Sequence, residues 1–297
     1  MAMDRRRRGD ESPSSTGAGG PDSGLGAAYR SHEVAEAWQR GAAARAPTLG
    51  PLTEAMLDLV GVGPGSRVLD VAAGTGEQTL MAARRVGPTG FVLAVDIAPA
   101  MLKVASEAVR AAGLSNVATG VMDAQALALA PASFDAAICR SGLMLMPDPV
   151  AALVAIRRVL QPRGKLAALV FGRAAQNPLQ ALPTLIARRA VGLPPPAPGE
   201  PGMFALGELG MLEAAFRAAS FREVAVRTTA TTHRFPSVAD AMRSLRDSLP
   251  SVHAILARLD DDARKRVWTE IERALEQFEG LDGLVTPGES LIGVGAA

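Results

Sequence analysis

The chain has 297 residues, 48% of them apolar, which is enough for one large α/β domain carrying an insertion. Its 31 basic and 30 acidic residues leave a net charge of +1, which excludes a broad electrostatic footprint for nucleic acid or an anionic membrane surface. The single cysteine, Cys139, excludes an intramolecular disulfide and a thiolate metal cluster. No stretch approaches the roughly 18 uncharged apolar residues of a membrane-spanning helix, and no secretory signal is legible. The expected location is the cytoplasm, with no nucleic-acid partner, no membrane span and no metal.

Residues 1–24, basic at Arg5 to Arg8 and then rich in Ser, Gly and Pro, predict a disordered tail. From about Ala27, Val34, Ala37, Trp38 and Ala42 recur at helical spacing, and a second helix is predicted over Leu52 to Val60. Arg67 to Ala73 then reads as a continuous apolar strand of the kind buried on both faces in a parallel sheet. Beyond it, helical and strand patterns alternate. Thr79 to Arg85 is helical, Phe91 to Asp96 a strand, Ala100 to Ala112 helical, and Asn116 to Met122 a strand. Phe134 to Cys139 is a further strand, Val150 to Leu160 a helix, and Gly164 to Phe171 a strand.

After Gly172 a helix near Leu179 to Ala190 runs into Pro194, Pro195, Pro196, Pro198 and Pro201, which force a loop or flap. Leu209 to Ala219 is helical, Glu223 to Arg234 alternates as an exposed strand, Asp261 to Phe278 is an amphipathic helix, and Ser290 to Gly295 closes the sheet. The pattern predicts an α/β fold: a Rossmann-like, doubly wound, mostly parallel seven-stranded sheet with helices on both faces and a helical lid or insertion. One domain would span 25–297. Within it, 25–62 would hold the N-terminal helices, 63–172 the ligand-binding core, 173–208 and 236–280 the lid, and 286–297 the last strand.

The stretch VLDVAAGTGEQT, from Val68 to Thr79, opens the first helix after the first strand on glycine, where a ligand can approach the backbone and meet free amides. A dinucleotide fingerprint counted from Gly74 would need glycine at position 79, which holds Thr79, and no phosphate-loop Gly-Lys-Ser/Thr follows. Neither nucleotide motif is met. Alanine at position 72 predicts ordinary strand geometry there, because a positive φ would cost about 1 kcal/mol or more.

The series Asp70-x-Ala72-x-Gly74-x-Gly76 resembles the acidic-x-Gly-x-Gly-x-Gly signature of class I S-adenosylmethionine-dependent methyltransferases. From about residue 28 onward the chain is similar to their small-molecule branch, which includes the ubiquinone and menaquinone C-methyltransferases. The resemblance implies S-adenosylmethionine as cofactor, with the glycine turn (Asp70, Ala72, Ala73, Gly74, Gly76) cradling its methionine side and Asp70 bracing the loop. Asp96, 26 positions after Asp70 (70 to 96), would accept both ribose hydroxyls beside Ile97. Asp123 and Ala124 would meet the adenine. The segment Phe134 to Leu143, with Arg140, would pass the methionine end, and Arg157 to Lys165 would lead into the fifth strand.

The implied reaction is in-line displacement of a methyl group onto an oxygen or carbon of a small acceptor, by positioning rather than by a metal. Met144, Met146, Met203 and Met211, with Leu143 and Phe204, would give the acceptor pocket an apolar surface. Tyr29 and Trp38 would help to close the site. Many relatives carry a histidine where this chain has Leu145 and Met146, and a lone histidine is more often a surface residue, so no catalytic base is assigned among His32, His233 and His253; His233 and His32 are the first to mutate. A catalytically silent cofactor-binding or protein-interaction module and, less favoured, a nicotinamide-dependent oxidoreductase are the rival readings. A homodimer is left open.

Overall fold

Two helices precede the sheet in the computed structural model, which describes residues 29–197 and 199–297; the tail expected over 1–24 lies outside the described residues. Helix α1 (His32–Arg40) starts at Ser31, whose hydroxyl accepts from the Val34 N–H at 3.2 Å, and ends at Gly41. Helix α2 (Ala42–Leu59) begins ten residues before the expected Leu52 and runs through Pro47 and Pro51. Packing outweighs those prolines. Leu52, Met56 and Leu57 are buried with Val68, Ala136 and Ile138 in one apolar cluster, so tertiary burial holds a helix that its own propensity would not.

The alternation then proceeds as read from the sequence, with boundaries moved by a residue or two except that the fifth strand starts at Leu160, four residues before the expected Gly164. It comprises β1 (Arg67–Val71), α3 (Glu77–Val86), β2 (Phe91–Asp96), α4 (Pro99–Ala111), β3 (Val117–Val121), β4 (Phe134–Arg140), α5 (Pro149–Val159) and β5 (Leu160–Phe171). After these come α6 (Pro178–Ala190), α7 (Met211–Ala218), β6 (Arg222–Phe235), α8 (Val238–Ser248), α9 (Pro250–Leu256), α10 (Asp261–Glu276), β7 (Glu279–Gly280) and β8 (Gly283–Ala296).

The sheet has the order β3-β2-β1-β4-β5-β8-β6, parallel from β3 through β5, with β8 antiparallel to both of its neighbours. The two-residue β7 pairs with β8, making eight strands where seven were expected. The strand order reverses at β1 and β4, where such sheets open a crevice at their carboxyl ends.

Strand β8 begins at Gly283, well before the expected start at 286 and the apolar run at Ser290, and it passes through Pro287. A proline is tolerated there because β5 pairs with β8 only as far as Phe171↔Ser290. Beyond that row β8 has β6 as its main partner, with β7 beside its first residues, so Pro287 lacks a neighbour on its other side. The β6–β8 ribbon thus projects past the carboxyl end of β5. Helices α8, α9 and α10 connect its two strands, and with α6 they bury Met242, Leu245, Val252, Trp268, Ile271 and Leu284 in a cluster of their own. This is the helical lid that the sequence pattern predicts, and it stands over the end of the sheet where the glycine turn lies.

Candidate functional site

The carboxyl ends of β1, β2 and β4 and the underside of the lid enclose one cavity of about 470 Å³, within the ordinary range of small-molecule sites. It is lined by residues of the sheet loops and of the lid together, so the two form one continuous chamber.

The glycine turn makes one side of it. Ala73 donates its N–H to the Val95 carbonyl at 3.0 Å, and Gly74 donates to Asp96 Oδ2 at 2.9 Å. Those two bonds bend the chain sharply after Val71, and Ala72 takes a φ of 54°. The expectation of ordinary strand geometry at Ala72 is therefore wrong. Its methyl lies where a side chain on Gly142 would have to go, since a Cβ there would come within 2.3 Å of it. Gly74, with φ 57°, faces the cavity, and a Cβ added to it would meet nothing within 4 Å. Gly76, with φ 87°, lies behind the wall; a Cβ there would stand 2.9 Å from the Ala105 methyl of α4. Its glycine serves close packing.

Asp70 is fully buried and does not line the cavity. Its Oδ2 accepts from the Thr79 hydroxyl at 2.5 Å and its Oδ1 from the Gln78 amide at 3.3 Å, tying β1 to the first turn of α3. Thr79, where a dinucleotide fold carries glycine, is thus the partner of the buried carboxyl. Burial pushes the Asp70 carboxyl up to about 7, against the pull of these two hydrogen bonds. Ala73, like Asp70, sits behind the lining.

Asp96 lines the cavity from the end of β2, its Oδ1 accepting from Ala98 N–H and its Oδ2 from Gly74 N–H, both at 2.9 Å. Burial raises its carboxyl above the usual range, partly offset by those backbone donors. Each oxygen keeps a further lone pair for a ligand hydroxyl. Ile97, Asp123 and Ala124 also line the cavity; Asp123 Oδ1 accepts from the Gln125 N–H at 2.9 Å.

Arg140 projects from the end of β4 and donates to Thr53 Oγ1 at 3.0 Å and Glu77 Oε2 at 2.7 Å. The other Glu77 oxygen accepts from Arg45 at 2.8 Å, and Arg45 lies 4.3 Å over the Trp38 ring and donates to the Trp38 carbonyl at 2.6 Å. Arg45 lines the cavity, and its Nε and one terminal nitrogen are buried without an acceptor. The sequence reading missed Arg45, Glu77 and Thr53. A signal was available for one: Arg45 is the sole charge between positions 42 and 53.

Met144, Met146 and Met203 line the lid side with Leu145, Phe171 and Leu179, whereas Leu143, Phe204 and Met211 do not. Leu143 is fully buried in the sheet core, and Phe204 packs against Phe171. Tyr29 and Trp38 line the opposite side, edge to face with centroids 6.2 Å apart. His233 lines the cavity. His32 instead pairs with the exposed Glu36, and His253 packs on Trp268 and reaches the Arg246 carbonyl.

Residues 63–187 match a family model described as a methyltransferase domain. Over 118 residues the chain is 42% identical to the ubiquinone/menaquinone biosynthesis C-methyltransferase UbiE of Teredinibacter turnerae, covering 39% of this chain and 47% of that protein. The chain thus spans about half the length of the curated relatives it matches. Among solved structures, the YcgJ protein of Bacillus subtilis superposes with a TM-score of 0.55 at 19% identity, covering 82% of this chain and 97% of that one. Phosphoethanolamine N-methyltransferase 2 of Haemonchus contortus, in complex with phosphomonomethylethanolamine and S-adenosylhomocysteine, gives 0.53 at 20% identity, covering 83% and 52%. Such distant structural likenesses speak for the fold alone. Residues 63–187 thus match a methyltransferase domain, and the chain resembles the ubiquinone/menaquinone C-methyltransferases over a segment of that size.

Proposed function

We propose that this chain transfers a methyl group from S-adenosylmethionine to a small, largely apolar acceptor bound under its helical lid. The carrying observation is the single chamber that joins Gly74, Asp96 and Asp123, at strand carboxyl ends, to a methionine-rich lid surface. The residues present fit the cofactor's groups. Open space faces Gly74, the Asp96 oxygens have spare acceptor capacity for ribose hydroxyls, and Asp123 and Ala124 stand beside them for adenine. Arg45 offers buried, unmatched donors of the kind a carboxylate satisfies, with Arg140 adjacent through Glu77.

When bound, S-adenosylmethionine supplies a methyl group on a sulfonium that leaves as a neutral thioether. The protein's part is then orientation and exclusion of water. Asp96 and Gly74 fix the cofactor end, the lid fixes the acceptor end, and the apolar lining between them keeps the path dry, an alignment that can be worth several kcal/mol. A core of residues 63–172 capped by 173–208 and 236–280 supplies most of the chamber, with the N-terminal helices and the β6–β8 ribbon closing its sides. Asp70, Ala73 and Gly76 act from behind the wall by setting the shape of the turn. The near-zero net charge supports a small molecule over a nucleic acid as acceptor.

Transfer of label from methyl-labelled S-adenosylmethionine to a panel of acceptors tests this reading. Turnover of lipophilic phenols and quinols is expected. Label transfer to polar metabolites alone would remove the apolar-acceptor reading, and no transfer to any acceptor despite cofactor binding would favour a silent binding module.

A further inference from the structure

The cavity's lid side is largely apolar, with polar side chains from Ser244, Ser248 and Gln180 of the lid helices and along one face of the β6–β8 ribbon. Thr231, His233 and Phe235 of β6 line the cavity and alternate with exposed Thr232 and Arg234, so the odd-numbered residues face inward. Directly opposite on β8, Thr286 pairs with His233, Gly288 with Thr231, and Ser290 with Thr229. Opposed residues of an antiparallel pair share a face. Gly288 makes the space: a Cβ there would lie 2.3 Å from the Thr231 hydroxyl and 2.9 Å from His233 Nε2, so both side chains lean over a position that has none.

From α6, the Gln180 side-chain amide comes within 3.3 Å of His233 Nε2. Two buried oxygens near this histidine have no hydrogen-bond partner, Gln180 Oε1 and Thr286 Oγ1. Unmatched buried polar atoms are costly and uncommon; Thr286 lies behind the lining, but Gln180 lines the chamber, and its unmatched oxygen points to a polar group that belongs to a ligand. Burial lowers the His233 pKa, which keeps its ring neutral and able to receive a proton at neutral pH.

We propose that His233, with Gln180 beside it, binds a hydroxyl of an otherwise apolar, phenol-bearing acceptor and takes its proton. This rests on the methyltransferase reading and names the acceptor class and the base for it. The acceptor's O–H bond breaks, the proton passes to the His233 imidazole, and the electron pair left on oxygen, delocalised into the ring, makes that oxygen or the neighbouring ring carbon the nucleophile. After transfer to oxygen the proton leaves the imidazolium to solvent; after transfer to carbon the imidazolium returns it to the oxygen as the methylated ring carbon gives up its own proton to solvent, so in either case the histidine is restored. Gln180 orients the hydroxyl, and the methionine-lined wall receives the apolar body.

The test uses the full chain and three variants, His233→Asn, Gln180→Leu and Thr231→Val, against two probes: a simple lipophilic phenol, and a nitrophenol already ionised at neutral pH. His233→Asn is expected to lower kcat for the simple phenol by about a hundredfold or more while leaving the nitrophenol within a fewfold of the parent, because a pre-ionised acceptor needs no base. Gln180→Leu should act mainly on KM. A binding readout independent of turnover comes from a weakly acidic nitrophenol whose absorbance reports its ionisation: its pKa should fall when it binds the parent and not when it binds His233→Asn.

Equal loss for both phenols in His233→Asn would show a merely structural histidine and overturn the proposal, as would a parent-like rate with the simple phenol. Calorimetry with S-adenosylhomocysteine separates the two levels. Binding by the parent together with an unchanged simple-phenol rate in His233→Asn defeats the base assignment alone, whereas no binding to the parent chain defeats the methyltransferase reading itself.

Discussion

The Ala72 methyl fills the space that any side chain at Gly142 would need, and the two residues are close only because Ala72 holds a φ of 54°. Gly142 itself has an ordinary φ of −101°, so its replacement by alanine is resisted mainly by that collision, with a lesser contact at 3.3 Å to Cys139 Sγ. Gly142→Ala is expected to cost about 2 kcal/mol through overpacking. Ala72→Gly should hold or raise stability by up to about 1 kcal/mol, since it removes a left-handed alanine. The double variant should then recover most of the loss, and urea unfolding of the four proteins of this cycle measures the coupling. Additive effects would contradict the packing described.

Asp70 makes a pH-dependent prediction at the same scale. Its carboxyl is pushed up to about 7 by burial, so the folded protein holds a proton that the unfolded chain releases near 4. The folded state therefore binds more protons between those values. The stability contributed by the neutral form is complete at low pH and is lost as pH rises through about 7. Asp70→Asn, which stays neutral, should flatten the fall in stability between about pH 4 and 7 even though it weakens the bond to Thr79. Parallel pH–stability curves for parent and variant would show that Asp70 does not titrate in this range.

At the scale of elements, helix α2 contributes more than packing. It carries Thr53 and Arg45 to the end of β4, where Glu77 at the start of α3 pairs with both Arg45 and Arg140. If Arg45 receives the carboxylate of the cofactor's methionine, Arg45→Met should weaken S-adenosylhomocysteine binding by about tenfold to a hundredfold, the worth of a charge-assisted bond. Methylthioadenosine, which lacks that carboxylate, should lose little. Equal losses for both ligands in titration calorimetry would place the damage in the helix rather than at the carboxylate.

The β1 to β5 alternation was legible because the inner parallel strands, β1 and β4 above all, are buried on both faces and so are near-continuous apolar runs. Helix α2 was partly hidden by Pro47 and Pro51, and the first half of β8 by Gly283, Pro287 and Gly288. In both, long-range packing or pairing overrides the local signals from which a sequence is read. The site was legible where a residue type is tied to a strand end, as at Asp96 and Asp123. It was not legible at Ala72, whose φ depends on hydrogen bonds made to β2. Gly74 and Gly76 look alike in the sequence yet face opposite ways, one toward the cavity and the other toward Ala105.

Across the whole molecule, two apolar clusters cover the faces of the sheet and a third belongs to the lid. The projecting β6–β8 ribbon joins the lid to the sheet, and the chamber lies between them. Arg40 of α1 pairs with Asp247 of α8, so the helix bearing Trp38 also touches the lid. The segment matched by the methyltransferase family model, 63–187, brings Gly74, Asp96 and Asp123 to the chamber, while Tyr29, Trp38, Arg45 and His233 reach it from outside that segment. The first group is read from motifs, the second from packing.

Titration calorimetry of the full chain with S-adenosylmethionine, S-adenosylhomocysteine and NADH, repeated on Asp96→Ala, tests the central claim most directly. The account predicts one site for each methionine-derived ligand, no measurable heat with NADH, and at least a tenfold loss of affinity in the variant. Unchanged affinity in Asp96→Ala, or binding of NADH in place of the methionine-derived ligands, would contradict it.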